Sequence, residues 1–332
     1  MAAGIVGTGV YLPEQLLGNE ELAERFGLTP EWILERTGIR QRHIAVPGQA
    51  CSDLAIVAGR QALENAATLP GEIGLVIVAT STGDCRAPAT AAIVQAALGI
   101  PNALCFDLSA ACSGFVYGVT VACSLVMSGE CDKALVIGAE VMSRVVDQAD
   151  LNTAILFGDG AGAVVVGPVA DGYGLLATDA GSDGSEYALV SIPGGGSRMT
   201  GGGMQFLQMD GVHLFMFAMR VLGDSALRVI KNACLLPEDI DLFIPHQANL
   251  RIIEAAAGRL NLPMEKTVLH LEHCGNTSAA SIPIALHEAV LSGRIRPGDR
   301  VVMTGFGAGL SWGSCLLRWH SDGRSHISQK EK

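Results

Sequence analysis

Hydrophobic and polar residues along this chain follow two rhythms. Short unbroken apolar runs at 74–80, 103–108, 134–139 and 161–167 are bounded by glycine, proline or charge, the pattern of strands buried on both faces. Between them, 52–67, 88–98 and 113–126 place apolar side chains at three- and four-residue intervals, which predicts helices. The last should stop near Gly129, a residue free to take the left-handed turn that ends helices. A strand over 4–11 and helical stretches at 20–26 and 29–37 come first. Strands and helices in alternation predict an α/β fold.

The second half of the chain echoes the first. Asn-Ala-Ala-Thr-Leu-Pro-Gly-Glu-Ile-Gly-Leu-Val-Ile at 65–77 lies without a gap on Asn-Ala-Cys-Leu-Leu-Pro-Glu-Asp-Ile-Asp-Leu-Phe-Ile at 232–244. Leu-Gly-Ile-Pro at 98–101 echoes Leu-Asn-Leu-Pro at 260–263, and Ser-Gly before a strand recurs at 128–129 and 292–293. Three matches in order predict a duplicated unit, with halves over 1–170 and 171–320 and a polar, disordered tail over 321–332. The glycine-rich stretch 193–203 lacks the Lys-Ser/Thr of a phosphate loop and reads as a mobile surface segment, a candidate lid.

Composition narrows the class. With 332 residues, 49% hydrophobic and 17% charged, the chain can bury a large core. Mean hydropathy is +0.37, yet turns or charges are expected to interrupt each apolar run before the ~20 residues that a membrane span needs. No basic segment followed by a long apolar one opens the chain, so no secretory signal is read and no membrane partner is expected. Nine cysteines, an odd number without C-x-x-C spacing, argue for a reducing cytoplasm over a disulfide framework or a zinc site. A net charge of −11, from 22 basic against 33 acidic residues, argues against nucleic acid as a partner.

Candidate chemistry starts at Cys112, which falls on the sharp turn between the strand 103–108 and the helix from 113. Unpaired N–H groups at a helix start favour a thiolate, and the small neighbours Ala110, Ala111, Ser113 and Gly114 admit a carbonyl; a packed structural cysteine would fit there too. In the second half, His246 stands at the mouth of a strand. Asn276 follows a predicted strand over 267–271 and precedes a small-residue helix opening at Ala279. By the repeat, the Asn276 turn corresponds to the Cys112 turn, so all three residues should meet at strand C-termini. A thiolate can carry an acyl group while a neutral imidazole and an amide, both N–H donors, stabilise an enolate or an oxyanion. Singly, His246 also reads as a satisfied polar residue and Asn276 as a helix cap. Arg36, Arg40, Arg42 and His43 beside Trp32 read either as a solvated basic face or as a phosphate grip with an aromatic plate. His270, His273 and Cys274 match no closed metal site, and no metal is expected. Gly-Asp-Gly-Ala-Gly-Ala at 158–163 fits a dinucleotide loop only superficially, because a strand follows where that loop needs a helix.

Ala-Ala-Cys112-Ser-Gly-Phe, Pro-His246-Gln-Ala-Asn-Leu-Arg, Gly-Asn276-Thr-Ser-Ala-Ala-Ser and Gly-Phe-Gly-Ala-Gly-Leu-Ser-Trp-Gly at 305–313 together resemble β-ketoacyl-[acyl carrier protein] synthase III. So do Trp-Ile-Leu-Glu-Arg-Thr-Gly-Ile-Arg at 32–40 and Phe-Gly-Asp-Gly-Ala-Gly-Ala at 157–163, and the likeness runs from Gly4 to Trp319. The resemblance implies a thiolase-like αβαβα layered fold, a homodimer, and a two-step Claisen condensation without a cofactor, acyl-CoA and a malonyl thioester being the substrates. Cys112 would take the acyl group from acyl-CoA. His246 and Asn276 would hold the enolate that decarboxylation of malonyl-acyl carrier protein releases, and the backbone N–H groups of Cys112 and Ala308 would form the oxyanion hole. By the same carry-over, Trp32, Arg36, Asn249 and Arg251 would contact the CoA nucleotide or pantetheine arm, Arg251 and Arg259 the carrier protein, and Ala87, Met142 and Phe157 the acyl chain.

The chain departs from that family's pattern in places. Leu151 stands where an arginine often helps sandwich adenine against Trp32, and Met216 and Gly258 stand where lysines often dock the carrier protein. Ala87 replaces a bulky residue that can close the acyl pocket, which predicts acyl chains longer than acetyl. The segment 305–309 lacks the cysteine base of degradative thiolases. The alternative is a relative in secondary metabolism that passes the acyl group to another nucleophile or uses malonyl-CoA without a carrier protein; the intact Asn276 favours condensation.

Overall fold

A computed structural model of the chain describes residues 2–197 and 206–320; the rest of the expected lid and the tail over 321–332 lie outside the described residues. Two sheets organise it. The first holds β1 (Ala2–Tyr11), β2 (Ile73–Ala79), β3 (Leu104–Leu108), β4 (Lys133–Val141) and β5 (Asp159–Val169), and the second β6 (Gly174–Ser182), β7 (Leu242–Pro245), β8 (Arg300–Gly307) and β9 (Ser311–Arg318). Across the first sheet the order is β1-β5-β4-β2-β3; across the second it is β6-β9-β8-β7. Corresponding strands therefore hold corresponding places, the topology of a duplicated β/α unit.

One strand is missing from that correspondence. The expected strand over 267–271 shrinks to a single bridge between Thr267 and Phe243, with Val268 N–H donating to the Phe243 carbonyl at 2.9 Å. Beyond it, Gln247 Oε1 accepts the backbone N–H groups of His270 (2.8 Å) and Leu271 (3.2 Å). A side chain thus takes donors that a ladder would use, and the segment turns into the short helix Leu271–Cys274.

The helices that cover the sheets are α1 (Asn19–Phe26), α2 (Pro30–Thr37), α3 (Cys51–Asn65), α4 (Thr90–Ala97), α5 (Gly114–Ser128), α6 (Gly211–Asn232), α7 (Leu250–Arg259) and α8 (Ser281–Leu291). Strand alternation assigns them to layers. Ile77 and Val136 of the first sheet and Val301 and Met303 of the second share one core with Phe115 and Val119 of α5 and Ile282 and Leu286 of α8. The opposite face of the first sheet, with Val76 and Val78, packs on Leu54 of α3 and Val94 of α4. Phe243 and Val302 pack on Leu222 of α6 and Ile252 of α7. Five layers result, αβαβα, with α5 and α8 in the middle. Each fully buried Leu, Ile or Phe contributes about 1.5–3 kcal/mol of transfer free energy.

Two expectations shift. The helix predicted over 88–98 begins at Thr90, where the Asp107 carboxylate accepts the N–H groups of Thr90 (2.7 Å) and Ala91 (2.8 Å) at its orphan N-terminus. The segment Ala111–Ser128 is uninterrupted by charge and is, among the described residues, the one helix long and apolar enough to cross a membrane. Its place in this fold is the central layer between the sheets, where half of it is buried.

Candidate active site

Cys112 sits in a single 3₁₀ turn, Ala111–Ser113, that links β3 to α5. The turn is pressed against β8. A methyl group at Gly307 would come within 2.7 Å of the Cys112 nitrogen, and one at Gly305 within 2.8 Å of its carbonyl oxygen. Glycine at both positions is what lets the turn approach the strand and sets Ala308 beside it on the cavity wall. The expected thiolate is not the resting state. Burial above all, then the nearby Glu140, pushes the Cys112 thiol up to about 12, although a bond with Ser278 works the other way. A helix start is worth about 0.3–1 kcal/mol, less than the roughly 1.4 kcal/mol that moves a pKa by one. Desolvation wins, and the sulfur rests as a thiol.

His246 follows β7 directly and is 1% exposed. Its Nδ1 lies 2.6 Å from Ser281 Oγ, and that oxygen also accepts the Gln247 N–H at 3.3 Å. No other acceptor for the Ser281 proton lies among the described residues, so the hydroxyl donates to Nδ1 and the ring carries its own proton on Nε2. Burial pulls the imidazole down to about 3, so it stays neutral and its free Nε2–H is a donor. The Phe306 ring stands edge-on to it, centroids 5.4 Å apart.

Asn276 is held from both sides. Its N–H donates to the Leu156 carbonyl (2.8 Å), its carbonyl accepts the Gly158 N–H (3.0 Å), and Oδ1 accepts the Ser278 N–H (2.9 Å). Oδ1 therefore caps the turn, and among the described residues Nδ2 has no hydrogen-bond partner. Beneath lies Arg42, wholly buried, its stem packed where side chains at Gly158 and Gly275 would otherwise stand. It donates to Asn19 Oδ1 (2.7 Å) and to the Ile155 carbonyl, and desolvation lowers it to about 10.

Cys112, His246, Asn276 and Ala308 line one cavity of 860 Å³. Met142 and Phe157 line it too, with Leu156, Ile192 and Leu207 forming an apolar wall. Asn249 lies at its rim, where Oδ1 caps α7 by accepting the Arg251 N–H (2.9 Å) and Nδ2 donates to the Arg36 carbonyl (3.0 Å). Through those bonds Trp32, Arg36 and Arg251 stand just outside the cavity. The Arg36 guanidinium stacks on Trp32, 4.6 Å from the ring centroid, and Arg251 donates to the Glu35 carbonyl at 3.2 Å. Arg259 is paired with Asp224.

Two expectations are not met within this chain. Within the single chain described, Ala87 is not among the residues that line the cavity: it belongs to the exposed stretch 84–88, which Asp84 pins to Ser52 of α3 on the outer layer. The basic quartet does not converge either. Arg42 is a buried prop, Arg40 pairs with Glu272 at 3.0 Å, and His43 Nδ1 bonds the Pro13 carbonyl at 2.6 Å, which leaves Arg36 at the rim. Sequence reasoning also missed Ser278, Ser281 and Glu140. Two serines three apart after Asn276 and one acid closing the apolar run 134–139 were the signals available. Among the described residues, no group of three or more His, Cys, Asp or Glu side chains is placed to hold a metal.

Known proteins resemble this chain in sequence and fold along most of its length. Residues 106–184 match the family model described as 3-oxoacyl-[acyl-carrier-protein (ACP)] synthase III, and residues 230–319 match its C-terminal model. A β-ketoacyl-[acyl-carrier-protein] synthase III of Caldanaerobacter subterraneus subsp. tengcongensis is 48% identical over 325 residues, 96% of this chain and 98% of that one. The crystal structure of 3-oxoacyl-(acyl carrier protein) synthase III from Pseudomonas aeruginosa PAO1 superposes with a TM-score of 0.91 at 44% identity, covering 97% of this chain and 99% of that one. The priming β-ketosynthase of the R1128 polyketide pathway gives 0.92 at 38% identity, with 97% of each chain covered.

Proposed function

The chain belongs to the β-ketoacyl-[acyl carrier protein] synthase III family, and from that premise we propose that it is a condensing acyltransferase in which Cys112 is acylated by an acyl-CoA and the acyl group then meets a malonyl thioester on acyl carrier protein. The observation that carries this is the pairing of donors opposite the thiol. His246, neutral with its free N–H on Nε2, and Asn276, with Nδ2 unspent, share the cavity with Cys112. Loss of CO2 from the malonyl group leaves an enolate, whose oxygen two fixed N–H donors can hold without reorganisation. Its carbon then attacks the acyl-Cys112 carbonyl, whose oxygen faces the N–H groups of Cys112 and Ala308, and the 3-oxoacyl product departs.

Trp32, Arg36, Asn249 and Arg251, at or just outside the rim, would meet the CoA and pantetheine arms. Among the described residues Arg251 has no ion-pair partner and would be the docking cation left for the carrier protein, since Asp224 neutralises Arg259. The wall of Met142, Leu156, Phe157, Ile192 and Leu207 favours acyl chains longer than acetyl. A second copy would join along the open edge of β3, where Leu104 is 59% exposed. The test is a panel of acyl-CoAs read by the mass gained at Cys112, followed by malonyl-carrier protein or malonyl-CoA and a CO2 assay. Acetyl-CoA far outpacing octanoyl-CoA would overturn the chain-length reading, and acylation without CO2 release would favour transfer to another nucleophile.

A further inference from the structure

A thiol at rest must lose its proton to attack, and among the described residues no base is hydrogen-bonded to Cys112. His246 is spent as a donor. Among the described residues the only hydrogen-bond partner of the sulfur is Ser278 Oγ at 3.5 Å, and the Ser278 hydroxyl donates onward to Glu140 Oε1 at 2.9 Å. Glu140 is fully buried at the end of β4, and no described cation pairs with it. Its carboxylate is held instead by the Thr82 hydroxyl (2.5 Å) and the Ser81 N–H (3.1 and 3.2 Å). A buried, unpaired acid two hydrogen bonds from the nucleophile is an expensive group to keep for packing alone.

We propose that Ser278 and Glu140 form a proton relay for Cys112. It rests on the acyl-transfer reading and adds the route of the proton. As sulfur bonds to the thioester carbon, the thiol proton passes to Ser278 Oγ and the Ser278 proton passes to Glu140 Oε1. The C–S bond to CoA breaks, and the CoA thiolate takes its proton from solvent. In the second half-reaction the malonyl carboxylate leaves as CO2 and its charge travels through the enolate to the Cys112 sulfur as the product departs. Glu140 then returns its proton through Ser278, which restores thiol and carboxylate. One negative charge is present in the cavity at the start of each half-reaction, so the buried site need never hold two. Ser278 touches the reacting sulfur; Glu140 acts through it.

The titratable groups around the relay are engaged elsewhere: burial raises the Asp159 carboxyl, and each has its own partners or faces the cavity neutral. Cys51 of α3 bonds Thr80 Oγ1 and the Ala139 carbonyl, and its thiol is raised well above its ordinary value, chiefly by burial. Asp159 on the neighbouring strand is tied to the Ala45 N–H and to Ser143. His246 faces the cavity neutral.

The test is alkylation of Cys112 by iodoacetamide as a function of pH, read by mass, in the full-length wild type, Glu140→Gln and Ser278→Ala. Alanine suits the Ser278 backbone: the matching residue of the other turn, Ala111, has φ 46° against 49° at Ser278. A proton moved within the enzyme makes the wild-type rate flat across about pH 6.5–8.5, whereas both variants should climb about tenfold per pH unit and run about 100-fold slower at pH 7. Equal or faster alkylation in Glu140→Gln, which a purely electrostatic carboxylate would produce, overturns the relay. Equally, a slower but flat profile in both variants marks a structural role and overturns it. Acylation by acyl-CoA separates the two readings: a pH-dependent defect in alkylation with no acyl-CoA accepted by the wild type sinks the substrate class and keeps the relay, while wild-type acylation rates in both variants sink the relay alone.

Discussion

The turn before α5 and the turn before α8 have the same backbone and different cargo. Each opens on a non-glycine residue at positive φ, Ala111 and Ser278, passes through one 3₁₀ turn and enters a helix of the central layer. Such a φ costs about 1–2 kcal/mol, and both turns keep it. Where the first carries Cys112 the second carries Ala279, and where the first carries Ser109 the second carries Asn276. The strands ahead of them differ as well: β7 runs into His246, whereas β2 runs into Thr80, a hydroxyl that serves Glu140 and Cys51. Duplication thus supplies two equivalent platforms, and in the proposed reaction the chemistry would arise because they are loaded unequally, one with the group that forms a bond and one with groups that hold charge.

Making the first platform resemble the second is the most severe test. Cys112→Ala should abolish acylation, measured as the mass gained from acyl-CoA. Emptying the second platform with Asn276→Ala should leave acylation within a few-fold of normal while CO2 release falls about 10²–10³-fold, the usual cost of one oxyanion-type donor. Ser281→Ala removes the hydroxyl that fixes the His246 tautomer and should slow condensation about 10-fold, in line with losses of such supporting bonds at other sites. Leu207→Trp, in the wall beside the platforms, should lower the ratio of octanoyl to acetyl kcat/KM by about 10-fold. The last expectation is a null one. Burial holds His246 near 3, so it stays neutral across its ordinary titration range, and CO2 release from malonyl thioester should show no inflection near pH 6.5; an inflection there that His246→Gln removes would mean the ring titrates in the cavity.

Much of this was legible before any coordinates. The strand–helix rhythm placed Cys112 on its turn, and the internal repeat brought the Asn276 turn opposite it. What escaped the sequence is contact between distant positions. Ser278 and Glu140 are 138 residues apart, and a single acid after an apolar run does not announce its partner. The His246 tautomer depends on a serine 35 residues on. Arg42 reads as one cation among four, yet lies wholly buried because glycines at 158 and 275 leave room for its stem. The strand expected over 267–271 fits its apolar pattern, but a local propensity lost to one long-range side chain, Gln247. Ala87 was carried over by likeness alone, and its own chain places it on the outer layer.

The glycines at 305 and 307 carry a lesson for redesign. With the nucleophile's main chain seated directly on them, that floor admits no methyl group, and any variant there would dislodge the sulfur before altering what it binds. Freedom to change diet resides elsewhere, in Ile192, Leu207 and their neighbours on the apolar wall, which would meet the acyl tail of the proposed substrate. A library confined to that wall can explore new substrates while the reactive centre stays untouched.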